Sequence, residues 1–287
     1  MKQFGNYKDE AADWITLENG DYYPDIIPHA LDLYSPVLAS FKTIMESAES
    51  SEALFRNIQK VKAPWMRDQL LRVFRKYVYP MLPVELYKKK YKTETICTNF
   101  AHNFRSINEV QHNFALRPFP DETLCAILWE YKDRGRKGYS LAERFFSLFK
   151  ERFNDLTIEG PTAGSKDIPM QRIFPDYPNA KRPVDFVIKK DSGEVVAVGF
   201  AHYDSDRGGS QEDDRPGGYK NTAKEILKYI TDQGRDIKIL FVNDGPGLLM
   251  SSMWDEYTEI EELNKERIMV LTLRMFKPRL SREWLFR

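Results

Sequence analysis

Two textures of hydrophobic spacing divide the chain. Up to about residue 155, apolar side chains recur at three- and four-residue steps, the helical period. The run from Pro28, PHALDLYSPVLASFKTIMESAES, follows this spacing. So does the stretch from Ala63, where Trp65, Met66, Leu70, Leu71, Phe74 and Val78 fall on one side. Pro80 and Pro83 should stop that second helix, because proline lacks an amide donor and crowds the preceding turn. PDETLCAILWEYKDRG and SLAERFFSLFKERFND predict two more helices, the first opening with proline and acids and closing on glycine.

From about residue 156 the pattern turns to short β-branched runs. LTIEG is a strand candidate, and PVDFVIKK and EVVAVGFAHY are strands joined by Asp191-Ser192-Gly193, a hairpin signal. A polar, glycine-rich loop is expected over 204–221, then a helix over 221–233 with Ala223, Ile226, Leu227 and Ile230 on one face. IKILFVND reads as a buried strand ending in the turn Asp244-Gly245-Pro246-Gly247. LLMSSMWDEYTEIEELNKE reads as a helix and RIMVLTLRMF as a last strand. The order predicts an α/β fold of the mixed α+β kind, with a mixed central sheet flanked by helices over 156–287. A helical N-terminal region over 1–155 precedes it. A right-handed crossover through 221–233 sets IKILFVND parallel to the second hairpin strand.

Composition narrows the class. The 287 residues are 42% hydrophobic and 30% charged, as in a globular protein of one or two domains. No apolar run approaches the roughly eighteen residues of a membrane span. The polar start MKQFGNYKDEAADW lacks the core of a signal peptide, so a cytoplasmic protein without membrane contact is expected. Cys97 and Cys125 are too few for a disulfide framework or a thiolate cage.

The net charge of zero conceals segregation. Residues 1–53 hold ten acids and three bases, whereas 55–96 hold eleven bases and three acids, and 264–287 hold seven bases and two acids. Such blocks can present a positive face to phosphate within a neutral chain. Other chemistries lack their motifs. The four histidines show no zinc-ligand spacing, and no nucleotide-binding glycine motif or GxSxG elbow is present.

On the hairpin, Arg182-Pro183-Val184-Asp185-Phe186 places an acid on the first strand, and alternation makes Phe200 and His202 same-face neighbours on the second. This hairpin, followed by a helix and a further strand, resembles the PD-(D/E)xK nuclease superfamily, which includes most type II restriction endonucleases. The likeness covers about 156–243. It implies a restriction-endonuclease-like core and sequence-specific hydrolysis of phosphodiester bonds in double-stranded DNA. It also implies Mg²⁺ as cofactor, Asp185 as a metal ligand, a homodimer, or else a heterodimer, and DNA contact or dimerisation through the helical region 1–155.

The chain departs from the family pattern twice. Val184 separates the proline from Asp185, and Phe200-Ala201-His202 stands where an acid-x-lysine is expected. An aromatic ring does not bind a hard cation. Three arrangements are open. The second carboxylate can have moved to Asp204, Glu212, Asp213 or Asp214, with Glu212 joining Asp185 on the metal. His202 can replace the lysine as the proton-handling group. Or the site is degenerate, in a chain that binds DNA and cuts poorly or serves as one subunit of a heterodimeric nuclease. A non-enzymatic protein-interaction module is the alternative outside nucleases.

The segment DSDRGGSQEDDRPGGYKN, 204–221, carries side chains suited to base edges: Arg207 and Arg215 for guanine, Gln211 and Asn221 for adenine, with Lys220 beside them. Its four glycines would let backbone approach a groove closely.

Overall fold

A computed structural model describes residues 2–132, 136–160, 167–204, 214–250 and 252–287, with backbone alone at 136–139 and 214–215. Contacts divide the chain into two units. One is Gly20–Asp133; the other combines Met1–Asn19 with Arg134–Arg287.

The first unit is helical, as the spacing predicts. Its main helices are α1 (Ile26–Glu46), α2 (Ser51–Gln59), α3 (Pro64–Tyr77), α4 (Thr93–Phe100), α5 (Ile107–Ala115) and α6 (Glu122–Trp129). Local chemistry sets their starts. The Ser50 side chain accepts the Ala53 N–H at α2, Pro64 opens α3, Ser106 and Glu109 form a capping box at α5, and Asp121 accepts the Leu124 N–H at α6. The α3 helix ends before Pro80, as expected. Tyr34, Phe41, Phe55, Phe74 and Tyr87 are fully buried in a core of this unit's own.

The second unit holds α7 (Arg136–Arg152), β1 (Leu156–Glu159), β2 (Ile168–Pro169), β3 (Pro183–Val184), β4 (Phe186–Lys190), β5 (Val195–Tyr203), α8 (Asp214–Asp232), β6 (Lys238–Asp244), α9 (Met253–Glu262) and β7 (Ile268–Leu271). The five-stranded sheet runs β1-β4-β5-β6-β7. β1, β4 and β5 are antiparallel neighbours, while β5–β6 and β6–β7 are parallel. A mixed α/β fold, the hairpin and the parallel crossover strand are therefore present. In the hairpin turn Gly193 takes φ +84°, a conformation that favours glycine.

Three sequence-based expectations are corrected. The boundary falls at 133/134 rather than 155, because α7 buries Leu141, Phe145 and Phe149, and Phe153 just after it, in the core of the sheet. The glycine-rich segment is not a loop to 221: α8 begins at Asp214, so Arg215, Lys220 and Asn221 stand on a helix. Tyr219, Ala223, Ile226 and Ile230 continue one inward-facing stripe at helical spacing, and that burial outweighs the loop signal of Gly217-Gly218. The last strand ends at Leu271, since the next inward amide, Leu273 N–H, donates to the Asp244 carboxylate and leaves the ladder. Among the described residues no helix is long and apolar enough to cross a membrane.

Candidate acidic site at the start of the hairpin

Asp185 sits between β3 and β4, where the chain passes from a two-stranded ribbon into the main sheet. Its backbone N–H donates to the Gly199 carbonyl, and its Oδ2 accepts the Ala201 N–H at 2.8 Å. The acid is thereby held against the middle residue of Phe200-Ala201-His202. Next to it, Phe186 pairs with Gly199, and a Cβ on that glycine would overlap the Phe186 ring. Strand alternation then sends Asp185 to the face opposite Phe186. There it lines a cleft of about 370 Å³ with Arg182, Pro183, Phe200, Gly218, Tyr219 and Thr222.

Burial pushes the Asp185 carboxyl up to about 6; the Ala201 N–H works against this, and the Asp167 charge adds to it. Sequence spacing does not mark Asp167. The β2–β3 ribbon pairs Ile168 with Val184 and Pro169 with Pro183 antiparallel, so one further step of register sets Asp167 opposite Asp185. A ribbon two residues long leaves no periodic trace, and Asp167 lies in a stretch with nothing else to single it out.

Phe200, at the place of the expected family acid, is a core residue. It is 5% exposed, stacks on Phe241 with ring centroids 5.1 Å apart, and meets Tyr219 of α8 at 5.5 Å. His202 stays partly exposed and places Nε2 3.3 Å from Oδ1 of Asp204. Asp204 is fully buried, and the Asn243 side-chain amide stands 3.4 Å from its Oδ2. The structure thus brings Asp204 to His202, while the acid set opposite Asp185 is Asp167.

The remaining candidates divide. Arg207, Gln211, Glu212 and Asp213 lie outside the described residues, and the side chains of Asp214 and Arg215 do too. Lys220 pairs with Glu259 at 2.5 Å, and Asn221 is exposed on α8. On the cleft wall, Arg182 pairs with Glu225 at 2.5 Å, and the Tyr177 hydroxyl donates to the same carboxylate. Burial would raise the Glu225 carboxyl, but these two bonds outweigh it and hold it below its ordinary range.

Two acids set opposite one another, one of them desolvated, repel unless a proton or a cation lies between them. Mg²⁺ is commonly held by one or two carboxylates, with waters and substrate phosphate completing its shell, so Asp185 and Asp167 fit such an ion. Among the described residues no group of three or more His, Cys, Asp or Glu converges as a metal cluster. Comparison with protein-family models, with curated proteins and with solved structures returned no match.

Proposed function

We propose that the sheet unit is a Mg²⁺-dependent nuclease module that hydrolyses phosphodiester bonds of double-stranded DNA at specific sites, as type II restriction enzymes do. The observation that carries this is Asp185, which lines the cleft, with the charge of Asp167 acting on it from the end of the β2–β3 ribbon. The order α7, β1, β4, β5, α8, β6 supports it, since the acid opens the second sheet strand and Ala201, which holds it, lies on the third. Asp185 and Asp167 would hold the ion. When bound, Mg²⁺ supplies positive charge against the charge that develops on the phosphate. The chain's own part is to desolvate Asp185, fix its Oδ2 on the Ala201 N–H, and wall the cleft with Phe200 and Tyr219.

Partner and assembly follow from the same function. The basic block over 55–96 and the arginines of 204–221 would supply phosphate and base contacts. A homodimer would match the two-fold symmetry of a duplex site.

One observation favours a second function. Phe200 fills the family's acid position and is packed on both sides by aromatic rings. A chain with one anchored acid would bind DNA without cutting it, alone or beside an active partner subunit. Supercoiled plasmid incubated with Mg²⁺, with chelator, and with the Asp185→Asn variant separates the two. Discrete fragments that need both Mg²⁺ and Asp185 establish the nuclease. A gel shift without fragments in any lane establishes the binding module.

A further inference from the structure

Arg182 directly precedes β3 and lines the same cleft as Asp185. Among the described residues of that lining it is the only cation. Its backbone is tied on both sides. The Arg182 N–H donates to the Asn179 carbonyl at 2.9 Å, and the Arg182 carbonyl accepts the Met170 N–H at 2.8 Å. The side chain is tied as well. Nε and Nη2 donate to the two oxygens of Glu225, at 3.3 and 2.5 Å, which occupies one edge of the guanidinium. Glu225 is itself fixed: the Tyr177 hydroxyl donates to Oε1 at 2.8 Å, and the Asn179 side chain bonds the same carboxylate. Thr222, one turn ahead of Glu225 on α8, also lines the cleft.

A guanidinium carries N–H donors on both edges and stays protonated, so it holds an anion without trading a proton. Glu225 takes one edge. The Arg182 side chain keeps 31% of its surface, and among the described residues no acceptor other than Glu225 takes its N–H groups. The other edge, formed by Nη1 and Nη2, matches two non-bridging oxygens of a phosphodiester. A phosphate that enters beside Asp185 needs such a group, because the carboxylate repels it.

We propose that Arg182 grips the non-bridging oxygens of the phosphodiester, and that Glu225 and Tyr177 are positioning residues that aim its guanidinium. The catalytic part of the inference rests on the nuclease function above. In the step, the water oxygen bonds to phosphorus, and the bond from phosphorus to the leaving oxygen breaks. One water proton passes to solvent, and the leaving oxygen takes a proton from solvent. Arg182 exchanges no proton; it meets the charge that gathers on the non-bridging oxygens. Glu225 offsets part of the guanidinium charge, so a resting phosphate is held weakly. The fixed direction of the fork counts most in the transition state.

The test probes the guanidinium directly, in the full chain without metal. Dimethyl phosphate, a diester anion with neither base nor sugar, is titrated into Asp185→Asn, which removes the repelling charge. Nitrogen and proton signals of the arginine side chains are recorded, with Arg182 assigned through Arg182→Lys. The Arg182 signal should move and saturate at millimolar probe, while chloride at equal ionic strength leaves it in place. A signal that stays still, or moves no further than that of the exposed Arg274, overturns the grip.

Cleavage separates the two layers. Arg182→Gln should slow Mg²⁺-dependent cleavage by about 100-fold or more, and Arg182→Lys, which keeps the charge without the fork, by less. Glu225→Gln should bind duplex as tightly as wild type or more tightly, since one acid near phosphate is gone. It should nevertheless cut about tenfold more slowly, because the fork is no longer aimed. Damage to the fold alone would weaken binding and cutting together and lower the melting temperature. Unchanged cutting by Glu225→Gln removes the positioning role. Asp185-dependent cleavage that Arg182→Gln performs at the wild-type rate keeps the nuclease and removes Arg182 from it. A saturating Arg182 signal in a chain that cuts no DNA keeps the phosphate grip and removes the nuclease.

Discussion

The ring of Phe186 fills the space that a side chain on Gly199 would need. The two residues are paired across β4 and β5, one step from Asp185 and from Phe200. Gly199→Ala forces that ring off the sheet, and overpacking of this kind costs about 1–3 kcal/mol. Urea unfolding should register the loss, and Mg²⁺-dependent cleavage should fall with it, because Asp185 hangs from the same residue pair. A variant as stable as wild type would show that Phe186 moves aside freely.

Asp185 has a pH signature of its own. Its carboxyl is raised to about 6 in the fold, against an unfolded value of about 3.9. Between these values the unfolded chain releases a proton that the folded chain keeps, so this residue's contribution falls as pH rises from about 4 to 6. Above that window Asp185→Asn should be more stable than wild type by about 3 kcal/mol, and below pH 4 the gain should vanish. Thermal melts of both proteins at pH 4 and pH 7.5 check the sign.

Mg²⁺ should reverse part of that difference. At pH 7.5 in millimolar Mg²⁺ the wild-type melting temperature should rise, while Asp185→Asn and Asp167→Asn should respond less. Equal responses in all three proteins would place any bound ion elsewhere.

The pair Glu261–Arg279 is the deepest charge contact among the described residues, with both side chains almost wholly buried. Glu261 also accepts the N–H groups of Phe4 and Val270, and Arg279 donates to the Val270 carbonyl. Glu261→Gln leaves a buried guanidinium without its counter-charge and should cost about 3–5 kcal/mol. Denaturant unfolding measures it, and a loss under 1 kcal/mol would mean that water reaches Arg279.

For DNA contact, the lysine run over 88–92 divides by geometry. Lys88 pairs with Asp68 and Glu85, whereas Lys89 and Lys90 are exposed, as is Tyr91 beside them. Lys89→Ala with Lys90→Ala should therefore weaken duplex binding regardless of sequence and lower the salt slope by roughly 0.9 for each phosphate no longer neutralised. Lys88→Ala should do less. Anisotropy titrations at several salt concentrations distinguish these outcomes.

Much of the fold is legible in the spacing. The hairpin turn at Asp191-Ser192-Gly193, the parallel strand IKILFVND and the helices of the first unit follow from periodicity and caps. Asp185 is legible as a candidate because it comes just before a strand whose partner carries Phe200 and His202. What spacing misses is short-range in sequence but three-dimensional in effect. Asp167 depends on a two-residue ribbon, and the early start of α8 depends on Tyr219 finding Phe200 and Phe241 to pack against. Asn243 and Asp204 are polar residues at strand ends, where sequence reads turns and solvent, yet both are fully buried, Asp204 against Gly245 and Gly247.

Asp244 gathers three amides on one carboxylate: Thr16 from ahead of the helical unit, Gly245 beside it, and Leu273 beyond the last strand. The knot cannot be tied before residue 273 has been synthesised. The stretch 20–133, by contrast, holds its core within itself. During translation the helical unit can therefore settle first, while residues 1–19 wait unpaired for a sheet that does not yet exist. The acidic site stands on that sheet, so its frame closes only once the last strand has left the ribosome.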